Sequence, residues 1–238
     1  MLALGAGRGA GTAWVVLAAL AGQLFVGWSN DYLDRARDRA AGRKDKPVAA
    51  GDIDPRAVGV AAIAALVAAV PLSLASGVAA TLVHMVAIAS ATAYNLGLKA
   101  TVLSPVPYAV SFALLPAFVT LGLTPSHWPP GWVMAAAAII GVGGHFAQAR
   151  PDVEHDRVQR VLGLPQLIGG RASGIVAASS LAAAAILIAV EGGNALPLVA
   201  LVPAVAVAVT PARLSFVLTL ATALLTAGAF VLIAGRSA

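Results

Sequence analysis

The chain contains no cysteine, which excludes a disulfide framework and any thiol chemistry. Charge is scarce as well: 11% of the 238 residues are Asp, Glu, Lys or Arg, against 60% apolar. That balance excludes an ordinary soluble domain and predicts an all-α, polytopic membrane bundle. The first apolar stretch lacks the basic start and the small-residue cleavage pattern of a signal peptide, so it is read as a retained membrane helix. A separate basic patch is also missing. Despite the net charge of +5, the Lys and Arg residues interleave with acids in two loops, and nucleic acid is not an expected partner.

Eight apolar stretches are present, at approximately 13–29, 57–74, 78–96, 102–123, 131–147, 174–190, 195–210 and 214–234. Most approach the roughly 20 residues that cross a bilayer core. When alternate crossings are counted, thirteen of the fifteen Lys and Arg fall on one side, with Arg8 and Arg236 opposite. Short basic loops favour the cytoplasm. The expectation is a multi-pass protein of a bacterial cell membrane, with its charged loops cytoplasmic and the lipid bilayer as its surroundings.

Acid is the scarcest charge, and six of the ten acidic residues are crowded into two clusters where apolar stretches run out. The first reads Asn30, Asp31, Asp34, Asp38 and the second Gln148, Asp152, Glu154, Asp156. A helix places Asn30, Asp34 and Asp38 within about 80° of one another over roughly 12 Å of its axis. At an offset of 118 residues the two clusters come into register: Asn30 meets Gln148, Asp34 Asp152, Asp38 Asp156, Arg39 Arg157, Pro47 Pro165 and Gly51 Gly169. The chain therefore reads as one domain, 1–238, with two pseudo-repeat halves of about 12–125 and 130–238 bracketing a shared site. Pro151 has no counterpart in the first half and should end or kink the sixth helix.

Carboxylates three or four residues apart suit Mg²⁺, a hard ion shared between carboxylates and substrate phosphates. Two facing clusters would hold ions around a diphosphate, with Arg39, Arg43, Lys46, Lys99 and Arg157 as donors to the remaining phosphate oxygens. Phe25, Trp28, Tyr32, Tyr94, Tyr108, Phe112 and Phe146 are available to stabilise an allylic carbocation. The plainer alternative, loop carboxylates neutralised by neighbouring bases, has to account for the same spacing twice on one face. His145 falls on one helical face with Gln148 and Asp152, where it could orient a ligand, accept a proton or simply hydrogen-bond between helices. His155 reads as a loop residue. His84, in mid-membrane, should be a neutral imidazole bonded to a neighbouring helix, and Pro116 and Pro203 should kink theirs.

At these residues the chain resembles the UbiA superfamily of intramembrane prenyltransferases. The signature Asn-Asp-x-x-Asp-x-x-x-Asp is complete from Asn30 to Asp38 and is followed by GRKDKPVAAG; Asp-x-x-x-Asp matches Asp152 to Asp156, and YNLGLK from Tyr94 to Lys99 looks like the family's intervening element. The resemblance implies a helical bundle, usually of nine helices. Only Met1 to Gly11 precedes the first stretch here, so about eight are expected, either because the sequence starts inside the family's first helix or because this member has eight. It further implies Mg²⁺ as cofactor, bound by Asn30, Asp34, Asp38, Asp152 and Asp156, with Asp31 binding metal or orienting its neighbours. Asp34, Asp38, Asp152 and Asp156 would be the catalytic carboxylates, and Arg43, Lys46, Lys99 and Arg157 the diphosphate contacts. Tyr94, His145 and Gln148 would be accessory, Gln148 standing where relatives often carry Asn or Asp. The implied reaction moves a prenyl group from a polyprenyl diphosphate to a small, aromatic acceptor. A UbiA-type terpene cyclase and a secondary transporter are the alternatives. A transporter would place its charges near the midplane rather than at one face.

Overall fold

The structure, a computed structural model, describes residues 7, 9–211, 214, 217–219 and 221–225. These form helices α1 (Gly11–Ala40), α2 (Pro47–Ala50), α3 (Pro55–Leu74), α4 (Val78–Leu96), α5 (Pro105–Thr120), α6 (Gly131–Ala149), α7 (Val153–Val158), α8 (Leu164–Ile168), α9 (Gly170–Glu191) and α10 (Leu201–Val209), with no strand among the described residues. Five segments are long and apolar enough to cross a bilayer: Gly11–Ala40, Pro55–Leu74, Val78–Leu96, Gly131–Val158 and Gly170–Glu191. Pro105–Thr120 and Leu196–Ala208 are shorter apolar helices. Seven of the eight apolar stretches are thus helical. Of the eighth, 214–234, the described residues 214, 217–219 and 221–225 are helical; the rest of it, and most of Met1–Gly11, lie outside the described residues.

Proline and aspartate set the helix starts. Pro47, Pro55 and Pro105 open α2, α3 and α5, where a missing N–H costs nothing. Asp54 caps α3 by accepting from the Arg56 backbone N–H at 2.8 Å. Pro151 acts as its sequence predicts: α6 stops at Ala149 and passes through a 3₁₀ turn, Arg150–Asp152, into α7. Pro203 behaves differently from expectation. It falls in the first turn of α10, a position that favours proline, rather than inside a continuous helix.

Packing follows chain order. α1 lies against α3 and α4, α4 against α5, α5 against α6, α6 against α9, and α9 against α10. Small side chains allow the close approach: Ala18, Ala69, Ala117, Ala177, Ala184 and Ala185 are fully buried. His84 on α4 meets Ser73 Oγ on α3 at 2.7 Å through Nδ1 and stacks on Phe118 at 4.5 Å. α1 and α6 make no extensive contact with each other, and the acidic ends of the two face a common space. α1 is 30 residues long, about 45 Å, so it outreaches a bilayer core of about 30 Å and carries its acids to the boundary.

Both acid-bearing segments end in the same way. The Arg43 N–H donates to Asp38 O at 3.0 Å and Gly42 N–H to Arg39 O at 3.1 Å; 118 residues later Val161 N–H donates to Asp156 O at 2.9 Å and Arg160 N–H to Arg157 O at 3.0 Å. This is a Schellman cap, whose turning residue needs a positive φ. Gly42 has φ 67° and Arg160, unusually for a residue with a side chain, φ 59°. The short helices that follow, α2 and α8, each carry proline in the first turn and stop at a positive-φ glycine, Gly51 or Gly169. Arg39 reaches the carbonyls of Ala49 and Val48 at 3.4 and 3.5 Å; Arg157 reaches those of Gln166 and Leu167 at 2.5 and 3.3 Å.

Candidate active site

Gln23, Gly27, Asn30, Asp34, Arg37 and Asp38 recur at helical spacing along one face of α1, and all line a single chamber of about 580 Å³. Gln148, Asp152, His155 and Asp156 line it from the other acidic segment, and Tyr94, Lys99, Tyr108, Phe112 and His145 from α4, α5, α6 and the 3₁₀ turn Leu98–Ala100. The structure therefore brings together Asn30, Asp31, Asp34, Asp38, Asp152 and Asp156, along with Arg43, Lys46 and Lys99.

The acids are held by cations in this arrangement. Lys99 Nζ lies 2.5 and 2.6 Å from the two carboxylate oxygens of Asp34 and 3.4 Å from Asn30 Oδ1. Arg37 Nη2 is 2.8 Å from Asp34, and its Nε is 3.9 Å from Asp38. Lys46 pairs with Asp31 at 2.6 Å. Arg43 grips Asp45 with two nitrogens at 2.8 and 2.7 Å and reaches across to Asp152 at 3.5 Å, joining the loop after α1 to the second cluster. That grip raises the Arg43 guanidinium above its usual range and lowers the Asp45 carboxyl to about 2. Burial pulls the Lys99 ammonium below its ordinary value, with Asp34 pulling the other way.

Arg157 is not brought in. Its guanidinium is turned to the carbonyls of α8 and to Glu154 at 3.5 Å, and it does not line the chamber. A fork of donors within reach of several unpaired helix-end carbonyls is satisfied locally, which accounts for the difference from the sequence expectation. Arg39 is turned in the same way toward α2. Of the seven candidate aromatics only Tyr94, Tyr108 and Phe112 line the chamber. Phe25 and Phe146 are core, Trp28 packs on that core, and Tyr32 lies under Arg35, 4.1 Å from the guanidinium carbon to the ring centroid. Gln148 accepts the Tyr108 hydroxyl through Oε1 at 2.8 Å. His145 Nε2 bonds Ser104 Oγ at 3.0 Å, and its ring is 4.7 Å from that of Tyr108 and 5.6 Å from that of Tyr94. His155 lines the chamber from helix α7 rather than lying in a loop.

Some chamber residues are absent from the sequence reading. Arg37 was findable, since it stands three residues after Asp34 on the same helical face. Gln23 and Gly27 continue that face inward, at seven and three residues before Asn30. Asn95 and Gln166 carried no such signal: Gln166 donates to Asp156 at 2.8 Å only because α8 folds back under α7.

The donor set fits a hard divalent cation, because it offers carboxylate and amide oxygens and no sulfur. As placed, no three His, Asp or Glu side chains among the described residues converge on one point, since the key acids, Asp31, Asp34 and Asp152, are turned to a Lys or Arg. A bound cation would take over those oxygens and release the bases toward an anion.

The model of the UbiA prenyltransferase family matches residues 1–219. The chain belongs to that family. Among solved structures, a UbiA homolog from Archaeoglobus fulgidus bound to GPP and Mg²⁺ is similar at 17% identity and a TM-score of 0.73 over 99% of this chain and 93% of the other. The same homolog bound to DMAPP and Mg²⁺ gives 18% and 0.70, and a digeranylgeranylglyceryl phosphate synthase 16% and 0.67, with the same coverage. At such identities the likeness establishes the UbiA fold for this chain. No curated protein matches the sequence.

Proposed function

We propose that this UbiA family member is an intramembrane prenyltransferase that takes a polyprenyl diphosphate with Mg²⁺ and transfers the prenyl group to a small aromatic acceptor. The observation that carries the reading is the single chamber in which two carboxylate clusters and four basic side chains meet at one end of an otherwise apolar bundle. Binding of GPP, DMAPP and Mg²⁺ by homologs of the same fold supports it. The distribution of Lys and Arg supports a cytoplasmic position for the acidic end.

Mg²⁺ held by Asn30, Asp34, Asp38, Asp152 and Asp156, with Asp31 as a further oxygen donor, would neutralise charge on the departing pyrophosphate. The protein does the rest. Lys99 and Arg37, leaving Asp34, and Lys46 and Arg43 from the loop direct donors to the diphosphate oxygens. The bond between the allylic carbon and oxygen breaks with its electron pair on pyrophosphate, and the acceptor's nucleophilic atom bonds to that carbon and loses its proton. Tyr94, Tyr108 and Phe112 line the chamber wall, and their ring electrons would stabilise positive charge developing on the carbon.

The test is purified protein in detergent with Mg²⁺, geranyl diphosphate and an aromatic acceptor, read as pyrophosphate release. Asp34→Ala and Asp152→Ala should each abolish release, and turnover that persists in EDTA would overturn the metal assignment. A product containing no acceptor atoms would point to cyclisation instead.

A further inference from the structure

Given the prenyltransferase reading, the depth of the chamber bears on the length of the donor. Gln23 on α1, Ala91 on α4, Phe112 on α5 and His145 on α6 are the lining residues of each helix farthest from the acidic end. On α1 the wall from Asn30 inward to Gln23 covers seven residues, about 10 Å. Most of the wall at that depth is apolar or already satisfied. Asn95 donates to Val26 O at 2.9 Å and to Ser29 Oγ at 3.1 Å, Ser111 donates to Ala87 O at 2.9 Å, and His145 bonds Ser104 Oγ at 3.0 Å. Gln23 is the exception: it is exposed and has no hydrogen-bond partner among the described residues. An unpaired amide well inside the Gly11–Ala40 span belongs to a cavity rather than to lipid. Gly27, one turn nearer the acids, lines the same wall, and a Cβ there would meet nothing within 4 Å. The room left by its missing side chain is open chamber.

We propose that the chamber selects an allylic donor of two isoprene units, the length of geranyl diphosphate, with Gly27 leaving room for the second unit and Gln23 rejecting a third. At about 1.2 Å per bond of an extended chain, the seven main-chain bonds of a geranyl group reach about 8 Å and the eleven of a farnesyl group about 13 Å. Measured from the diphosphate end at Asn30, the first stops short of Gln23 and the second runs past it. A hydrocarbon laid over the Gln23 amide strips its water and offers no hydrogen bond in return, which is disfavoured. A chain of two units leaves that amide wet. A dimethylallyl group, with three main-chain bonds, leaves the apolar wall beyond Gly27 uncovered and forfeits its burial.

The experiment uses the full chain in lipid nanodiscs with Mg²⁺ and has two arms read by calorimetry. The first measures binding of inorganic pyrophosphate, which reads the head-group site alone, and its absence would overturn the donor reading itself. The second compares the S-thiolodiphosphate analogues of dimethylallyl, geranyl and farnesyl diphosphate. Geranyl should bind at least about tenfold more tightly than either of the others, the worth of one stripped amide or one uncovered isoprene unit. Gln23→Met keeps the size of the side chain and loses the amide, so it should raise the ratio of farnesyl to geranyl affinity about tenfold. Comparing that ratio between variant and native chain cancels partition of the longer tail into the bilayer. Gly27→Leu should cut geranyl affinity about tenfold, to near that of dimethylallyl, while raising the thermal midpoint, because leucine favours a helix more than glycine does. Farnesyl or dimethylallyl binding as tightly as geranyl to the native chain, an unchanged ratio in Gln23→Met, or undiminished geranyl binding by Gly27→Leu overturns the proposal.

Discussion

Lys99 and Asp34 meet inside the chamber, the ammonium within 2.5 and 2.6 Å of both carboxylate oxygens, with each side chain 11% exposed. The pair ties the end of the YNLGLK element to the centre of the Asn30–Asp38 motif. It also means that the carboxylate expected to bind metal already has a resident cation, so anything that binds Asp34 must displace Lys99.

Lys99→Met should therefore separate two affinities. Geranyl diphosphate binding in the presence of Mg²⁺ should weaken by about tenfold or more, since a charge-assisted contact is lost. Mn²⁺ binding without donor, followed by electron paramagnetic resonance, should become tighter because the competitor for Asp34 is gone. If both weaken together, Lys99 and the cation do not compete.

Close packing of α5 on α6 sets the position of Tyr108 and Phe112. A Cβ added at Gly141 would lie 2.7 Å from Tyr108 O and 2.8 Å from Phe112 Cβ, whereas one at Gly144 meets nothing within 4 Å. Gly141→Ala should destabilise the protein by about 1–3 kcal/mol and lower turnover by pushing the two helices apart. Gly144→Ala should be tolerated in both a thermal melt and an activity assay.

Arg157 is turned to the carbonyls of α8 and does not line the chamber. Arg157→Ala should lower the unfolding midpoint, by roughly 1 kcal/mol in stability for the lost carbonyl contacts, without changing the KM for the prenyl diphosphate. A large rise in KM with an unchanged melt would return Arg157 to the diphosphate site.

Arg160 holds φ 59° at the turning position of its cap, where Gly42 stands in the first cluster. Replacing Arg160 with Gly should stabilise the chain by about 0.5–1 kcal/mol, and Gly42→Ala should destabilise it by a similar amount. Thermal unfolding of the two variants in the same detergent decides the sign.

The acidic face of α1 was legible because one helix carries it: Asn30, Asp34 and Asp38 need only the 3.6-residue period to stand together. Arg37 obeys the same period and was legible in principle. Arg157 was not, because its charge is equally suited to a phosphate or to the carbonyls of α8, and the choice depends on where the chain after Val158 turns. The pairing of Gln148 with Tyr108 was hidden for the same reason, since it joins helices 40 residues apart. Among the aromatics, sequence offers no means of telling a ring that lines a cavity, such as Phe112, from one that fills a core, such as Phe146.

Local spacing and composition by themselves determined that this chain is a helical membrane bundle with two oxygen-rich clusters at helix ends, because hydrophobic length and helical periodicity are properties of contiguous residues. The tertiary structure decided which side chains share the chamber, which cations hold which acids and which arginines serve the backbone. Those outcomes depend on distances of a few ångströms between segments remote in the chain, and such distances are set only when the helices pack.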